Sequence, residues 1–442
     1  MKQIEPPVIT AKKILGEQKV QDTEYRCTRH MIRLEHEDGE LWYHVTTKEL
    51  LLLPPGEGPE AVREELIRKW FLVPVDFDEN KQAMLLRQLT ASFAPKKDYI
   101  NSFTVLTTTD CNARCFYCYE KGRKRLDMSE QIARDTARYM LSVSKDKKIT
   151  ITWFGGEPLY NQRAIELISD ALRAAGKEFS SNLVTNGYLL DEETARKAVE
   201  CWNVQTAQIT LDGTQDIYNK RKAYIYHDDN AFERVLQNIE TALNAGIRII
   251  VRLNVDRKNT EDIKALIELL GQRFAGRCQF TVYHKMLVSF VGEVNDFADE
   301  NSRTDCYYEI EELLRKYGFF YEKELKNEIY IHQCMADNDS CAVLLPDGKI
   351  GECEHFSESE LVGDIYNGIT DKEAVREWKE TIRYPLCETC AMFPVCVILK
   401  KCEWNQIPCE GSDHEIRLRD FRKKVLQLYE KRLIMQQKGW TH

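Results

Sequence analysis

The sequence predicts an α/β chain built on a parallel sheet of six βα units, with a small α+β region before it and a cysteine-rich region after it. Three observations carry this. Strand-like and helix-like stretches alternate from about residue 100 to 284. They make six such units, too few to close an eight-stranded barrel. The polar, glycine-containing motifs fall at the carboxyl ends of the strands, where α/β folds place their chemistry.

Taken in order, residues 1–95 read as a separate small domain. A strand-like run at 25–36 meets Asp38-Gly39, a hairpin signal, and resumes at 41–45. Thr46-Thr47-Lys48-Glu49 fits a capping box that opens a short helix over Leu50–Leu53, and Pro54-Pro55-Gly56 breaks it. Pro59 opens a second helix with Val62, Leu66, Trp70 and Phe71 at helical spacing, and a third helix is expected at 79–93. The parallel-sheet region is expected over 96–286. Its strands lie at 102–109, 149–154, 179–185, 204–211, 247–255 and 279–284, with helices at 129–143, 160–174, from 191, at 231–245 and from 260. Residues 287–330 form a polar bridge with a helical stretch at 305–317, residues 331–412 a second cysteine region, and residues 413–442 a charged amphipathic helix. Ile416, Leu418, Phe421, Val425 and Leu428 give that helix an apolar face.

With 442 residues, 43% of them apolar, two or three folded units are expected. The start, MKQIEPPVITAKK, lacks the apolar core of a signal peptide, and no run of about 18 apolar residues occurs, so the expected location is cytoplasmic with no membrane partner. Net charge is −9, from 62 basic and 71 acidic residues, the wrong sign for a general nucleic-acid binder. The basic run KGRKR at 121–125 reads as a solvated loop. Fifteen cysteines stand out, because a reducing compartment disfavours disulfides and clustered thiols there serve metal or redox chemistry. Eleven of them fall in two clusters.

The first cluster is Cys111, Cys115 and Cys118, in TTTDCNARCFYCYE. Three thiolates in CxxxCxxC spacing leave a cubane iron–sulfur cluster one protein ligand short, and that iron can bind a small molecule. The competing readings are zinc, which usually takes four ligands at CxxC-type spacing, and a chance cluster of buried thiols. Gly155-Gly156-Glu157-Pro158 follows the second strand; the glycines permit close backbone approach to a ligand, and the glutamate can accept from an ammonium group. Thr185-Asn186-Gly187 ends the third strand, Thr210-Leu211-Asp212-Gly213 the fourth, and Arg252 and Asn254 lie on the fifth. Tyr283, His284 and Lys285 end the sixth. The second cluster, Cys334, Cys341, Cys353, Cys387, Cys390, Cys396, Cys402 and Cys409, has the arithmetic of two four-ligand sets, with two zinc knuckles as the alternative. Cys27, Cys201, Cys278 and Cys306 receive no role.

CxxxCxxC with Tyr117 before its last cysteine, followed by GGEP, resembles the signature of the radical S-adenosylmethionine (radical SAM) superfamily. The resemblance implies that the six units form an open, partial (β/α)6 barrel. It makes Cys111, Cys115 and Cys118 the catalytic cluster ligands, with Tyr117 beside the cofactor. Gly155, Gly156 and Glu157 would hold the methionine amino group of S-adenosylmethionine, Asn186 would lie near the ribose, Thr210 and Arg221 would bind the carboxylate, and Asn254 would make a further contact. The implied product is a 5′-deoxyadenosyl radical that abstracts hydrogen from an unactivated C–H bond.

CAVLLPDGKIGEC followed by CETCAMFPVC resembles a SPASM domain, the auxiliary-cluster extension of peptide-modifying radical SAM enzymes. Carried over by position, Cys334, Cys341, Cys353 and Cys402 would bind one auxiliary cluster and Cys387, Cys390, Cys396 and Cys409 the other, for three 4Fe–4S clusters in all. The family's CxxCx5Cx3C stands here as CxxCx5Cx5C, with Lys400 where its last cysteine falls. The N-terminal pattern resembles the winged-helix peptide-recognition domain of such enzymes. Together these imply a maturase that acts on a ribosomally made precursor peptide, holds its leader at the N-terminal domain, takes electrons from a donor such as flavodoxin or ferredoxin, and closes a thioether or carbon–carbon crosslink. A formylglycine-forming sulfatase-maturing enzyme, a non-catalytic iron–sulfur or zinc electron-transfer scaffold and a nucleic-acid-modifying enzyme are the competing readings.

Overall fold

The structure, a computed structural model, describes residues 10–437 apart from 57, 94–98, 227–229, 288–299, 320–333, 356–359, 397, 403–408 and 410. Much of the expected bridge at 287–330 therefore lies outside the described residues. The chain forms two compact units, one of Lys97–Glu322 with Asn338–Arg376, the other of Met1–Lys96 with Lys323–Asp337 and Glu377–His442.

The chain begins with α1 (Ala11–Leu15), β1 (Tyr25–Cys27), β2 (Met31–His36), β3 (Gly39–His44), β4 (Leu50–Leu53), α2 (Arg63–Arg68), β5 (Leu72–Pro74) and α3 (Glu79–Phe93). β2, β3 and β4 form an antiparallel sheet in that order, with Leu34 opposite Leu41 and Trp42 opposite Leu51. Leu50–Leu53 is thus a strand, and the expected capping box is a turn. The His44 imidazole Nδ1 accepts the N–H groups of Thr46 and Thr47, both at 3.2 Å, and Lys48 takes φ 63°. Four consecutive leucines gain more by pairing with β3 than as an isolated helical turn. The second expected helix also ends early, at Arg68. Trp70 adopts φ 69°, which returns Phe71 to a core shared with Trp42, Leu53 and Leu66.

The hairpin's other face finds its partner far along the sequence. Ile32, Tyr43 and Val45 share one apolar cluster with Val395, Phe421 and Val425, with Leu428 packed beside it. Phe421, Val425 and Leu428 belong to the C-terminal helix Gly411–Gln437. The units therefore cut across the boundaries read from sequence. Residues expected as separate pieces at 1–95 and 413–442 fall in one unit, and the expected 331–412 region is divided between the two.

In the other unit, β6 (Ser102–Thr108), β7 (Lys148–Gly155), β8 (Glu178–Thr185), β9 (Val204–Leu211), β10 (Arg248–Val255) and β11 (Phe280–Met286) lie side by side in sequence order, all parallel. The helices between them are α4 (Glu130–Val143), α5 (Gln162–Ala174), α6 (Glu192–Glu200), α7 (Gln215–Lys222), α8 (Ala231–Asn244) and α9 (Thr260–Phe274). Ser129 and Asp191 cap α4 and α6 by accepting the N–H groups of Ile132 and Thr194. This is the expected α/β partial barrel. The sheet continues beyond β6: after α10 (Glu300–Lys316), β12 (Cys341–Leu344) pairs parallel to β6, and β13 (Lys349–Gly351) pairs antiparallel to β12.

Alternation along the strands separates two chemistries. Ile149, Ile151, Trp153, Leu183, Ile209 and Val251 are buried in one core with the helices. The opposite face carries half-buried Thr150, Thr152, Asn182, Gln208, Thr210, Arg252 and Tyr283. Thr210, Arg252 and Tyr283 stand in register across three strands.

Candidate metal centre

The loop after β6 carries Cys111, Cys115 and Cys118, and neighbouring strand ends lash it down. Asp110 accepts the Cys111 N–H at 2.8 Å and holds Arg125 at 3.4 Å. Gly156 donates to the Thr108 carbonyl at 3.1 Å and Glu157 to the Asp110 carbonyl at 3.0 Å. A Cβ on Gly155 would stand 2.1 Å from the Thr108 oxygen, and one on Gly156 would stand 2.3 Å from the Asp110 oxygen. The glycines were expected to admit a ligand; here they admit the backbone of the cysteine loop itself. On the far side, Arg114 N–H donates to the Lys222 carbonyl at 2.8 Å and Ile225 N–H to the Asn112 carbonyl at 2.9 Å.

The thiols answer to one environment. Burial first, then Glu157 and the other two thiols, push Cys111 up to about 12, and burial also raises Cys115 and Cys118. Such thiols ionise only against a compensating cation, which a bound metal cluster supplies. The Ala113 N–H donates to Cys111 Sγ at 3.3 Å, a bond that favours the thiolate. Among the described residues no three His, Cys, Asp or Glu side chains gather as ligands of one metal ion. A four-iron cluster does not require that, because each thiolate binds a separate iron.

Glu157 is fully buried. Its carboxylate accepts from Leu159 N–H at 3.1 Å, Thr185 Oγ1 at 2.7 Å and Asn186 N–H at 2.7 Å, while desolvation lifts its pKa to about 7. A carboxylate has about four acceptor positions, so one remains. Asn186 Nδ2 donates to Asn112 Oδ1 at 2.6 Å, joining β8 to the cysteine loop. Buried Asn254 accepts from Arg252 Nε at 3.0 Å. Arg221 spends both terminal nitrogens on Asp256, at 3.3 and 3.0 Å, leaving a buried Nε without a partner. Of the sixth-strand residues, His284 faces the helices, with Nε2 2.8 Å from Glu311 Oε1. Tyr283 faces the polar side and donates to Gln208 at 2.9 Å.

Sequence reasoning missed the residue after Arg221. Lys222 ends α7 with its side chain 4% exposed, Nζ 2.9 Å from Asp212 Oδ2 and 3.2 Å from the Tyr117 hydroxyl. Tyr117 donates in turn to Asp212 at 2.6 Å. The three side chains form a buried triangle under Cys115, whose Sγ lies 3.9 Å from the Lys222 carbonyl. Nothing in NKRK picks the last of three basic residues, and α7 itself was not expected.

The second cysteine region divides by unit. Cys341 opens β12 and Cys353 follows β13, while Cys334 and Cys402 belong to the other unit. Cys387, Cys390, Cys396 and Cys409 also belong there, and the other three thiols all act on Cys396, which burial chiefly pushes up to about 11. Cys334, Cys353 and Cys390 repeat the Cys111 pattern, each Sγ accepting the N–H two residues on, at 3.4, 3.3 and 3.4 Å. Repetition of this thiolate-favouring turn in both regions fits metal-bound sulfur in each.

Residues 105–270 match the model of the radical SAM superfamily. They are a radical SAM domain. That family implies a 4Fe–4S cluster and S-adenosylmethionine. The Fe-coproporphyrin III synthase of Methanosarcina barkeri is 25% identical over 215 residues, 48% of this chain and 52% of that protein. The chain thus spans about half the length of that relative. The solved structure of hexahistidine-tagged anSMEcpe with bound AdoMet superposes with TM-score 0.53 at 16% identity, covering 67% of this chain and 84% of that one. Streptococcus suis SuiB gives 0.50 at 13%, covering 84% and 94%. At such identities the likeness is one of fold. No helix among the described residues is long and apolar enough to cross a membrane.

Proposed function

We propose that the chain is a radical SAM enzyme that modifies a ribosomally made precursor peptide, with its barrel cluster on Cys111, Cys115 and Cys118. One observation carries this reading. The three-cysteine loop is hydrogen-bonded to GGEP and to Asn186 at adjacent strand ends, above the polar face of the sheet. When bound, the cluster and S-adenosylmethionine together supply a 5′-deoxyadenosyl radical able to take hydrogen from an unactivated C–H bond. Glu157 offers its remaining acceptor position to the cofactor's ammonium group. Asn186, Thr210 and Asn254 line the remaining strand ends, Arg221 contributes Nε, and Tyr117 is held fixed by Lys222 and Asp212. Gln208, Arg252 and Tyr283 offer an extended polar substrate hydrogen bonds along the face.

In this reading the eight C-terminal cysteines hold two auxiliary 4Fe–4S clusters, one of them on Cys387, Cys390, Cys396 and Cys409. β2 and β4 are the two edges of their sheet, to which a leader peptide adds as a strand. A flavodoxin or ferredoxin supplies electrons from the cytoplasm, and the bond closed is a thioether or carbon–carbon crosslink. The test is anaerobic reconstitution with the short peptide encoded beside the gene. The expected outcome is about twelve irons per chain, release of 5′-deoxyadenosine on reduction, and a peptide lighter by two hydrogens. An iron content near four would remove the auxiliary clusters, and no 5′-deoxyadenosine would remove the enzyme.

A further inference from the structure

Two arginines from the N-terminal residues reach the C-terminal cysteine loop. Arg29, in the turn before β2, donates through Nη1 to the Glu388 carbonyl, between Cys387 and Cys390, and to Asn80 Oδ1 on α3 at 2.7 Å. Arg87, on α3, donates through Nη1 to the Pro394 carbonyl at 3.2 Å, two residues before Cys396. His30 Nδ1 lies 3.2 Å from the Ala391 carbonyl, so the same turn holds the loop at a second point. From the chain's other end, His414 places Nε2 3.3 Å from Cys390 Sγ.

Charge follows the same geometry. Arg29 acts on the Cys390 thiol and Arg87 on Cys396, which Arg417 also faces. Glu79 and Asp337 partly offset the two guanidiniums. Glu79 also serves Arg26, at a contact of its own, and one terminal nitrogen of Arg29 is buried without a partner. A guanidinium keeps its charge at any pH the protein meets. Reduction adds one electron to an already anionic four-thiolate cluster, so fixed cations beside it favour the reduced form.

Resting on the four-cysteine cluster proposed above, we infer that Arg29 and Arg87 raise its reduction potential, so that the N-terminal residues form an electrostatic wall of the auxiliary site. These are positioning residues: they set where an electron rests and touch no substrate.

The test is a potentiometric titration followed by electron paramagnetic resonance. It uses the reconstituted full-length chain with Cys111, Cys115 and Cys118 replaced by alanine, which silences the barrel cluster. In the Arg29→Gln, Arg87→Gln double variant, one remaining midpoint is expected to fall by about 59 mV. That is a tenfold change in the reduced-to-oxidised ratio for a one-electron couple. Arg29→Lys with Arg87→Lys retains the charges and should hold the midpoint near the parent value. Unchanged midpoints at full iron content would overturn the inference. So would loss of about four irons in the glutamine variant with the surviving midpoint unmoved, since the arginines would then be props for the loop. If Cys387→Ala with Cys390→Ala leaves the iron content of the parent unchanged, the proposed auxiliary cluster itself fails, whatever the arginines do.

Discussion

The two cysteine-rich loops of this chain solve opposite problems. The barrel loop offers three thiols: Glu157 faces Cys111, Lys222 and then Asp212 face Cys115, and Glu120 faces Cys118, so carboxyl groups stand beside each thiol and one lysine offsets them. The C-terminal loop offers four thiols, and Arg29, Arg87 and Arg417 face them. A cluster among carboxylates is hard to reduce and, once reduced, gives its electron away readily; a cluster among guanidiniums accepts one. Under the proposed function, the difference would place the three-thiol loop to give an electron and the four-thiol loop to receive one.

The sharpest way to break this comparison is to remove thiols. Cys111→Ala should abolish 5′-deoxyadenosine formation and lower iron by about four per chain. Cys390→Ala should lower iron by a similar amount yet leave 5′-deoxyadenosine formation within about threefold, a drop of about 0.7 kcal/mol in transition-state stabilisation at most. Equal loss of 5′-deoxyadenosine in both variants would erase the distinction between donor and acceptor.

Much of the barrel was legible in the sequence, because its strands and helices obey clean periods and its motifs sit where strands end. The four-leucine strand after the hairpin was not, since Thr-Thr-Lys-Glu satisfies a capping pattern and nothing local reveals that His44 would take the two N–H groups. The site was legible as residue types and order. Its wiring was not: the guanidinium of Arg221 is bound by Asp256, thirty-five positions away, and Lys222 lies under the cysteine loop. Partnerships between distant residues leave no trace in a single sequence.

The next effect is the buried cation of the barrel loop. Lys222→Met leaves Asp212, itself fully buried, with only the Tyr117 hydroxyl on that oxygen, and should cost about 3–5 kcal/mol by chemical denaturation. Adding Asp212→Leu should recover more than half of that, because the stranded charge leaves with it. A single-variant cost below about 1 kcal/mol would mean that the triangle is not what neutralises the carboxylate side of the loop.

The smallest expected effect is a difference of sign with pH. In the C-terminal cysteine unit, burial chiefly holds His44 down to about 3, so the unfolded chain binds the proton that the native state refuses. Stability from this group is present above the unfolded value near 6.5 and is lost as pH falls; between pH 7 and 5 the loss is roughly 2 kcal/mol. In the barrel unit, burial lifts Glu157 to about 7, so the native state holds a proton that the unfolded chain, with an ordinary carboxyl, releases. Its contribution is full below the unfolded value and fades as pH rises toward 7, also by roughly 2 kcal/mol. Acidification from pH 7 to 5 should therefore weaken one unit and strengthen the other, read by hydrogen exchange of β3 against β8. His44→Gln should flatten the first response and Glu157→Gln the second. Parallel responses in both strands would show that the two histidine and glutamate environments do not govern their units, and that the opposed electrostatics of the two loops stop at the thiols.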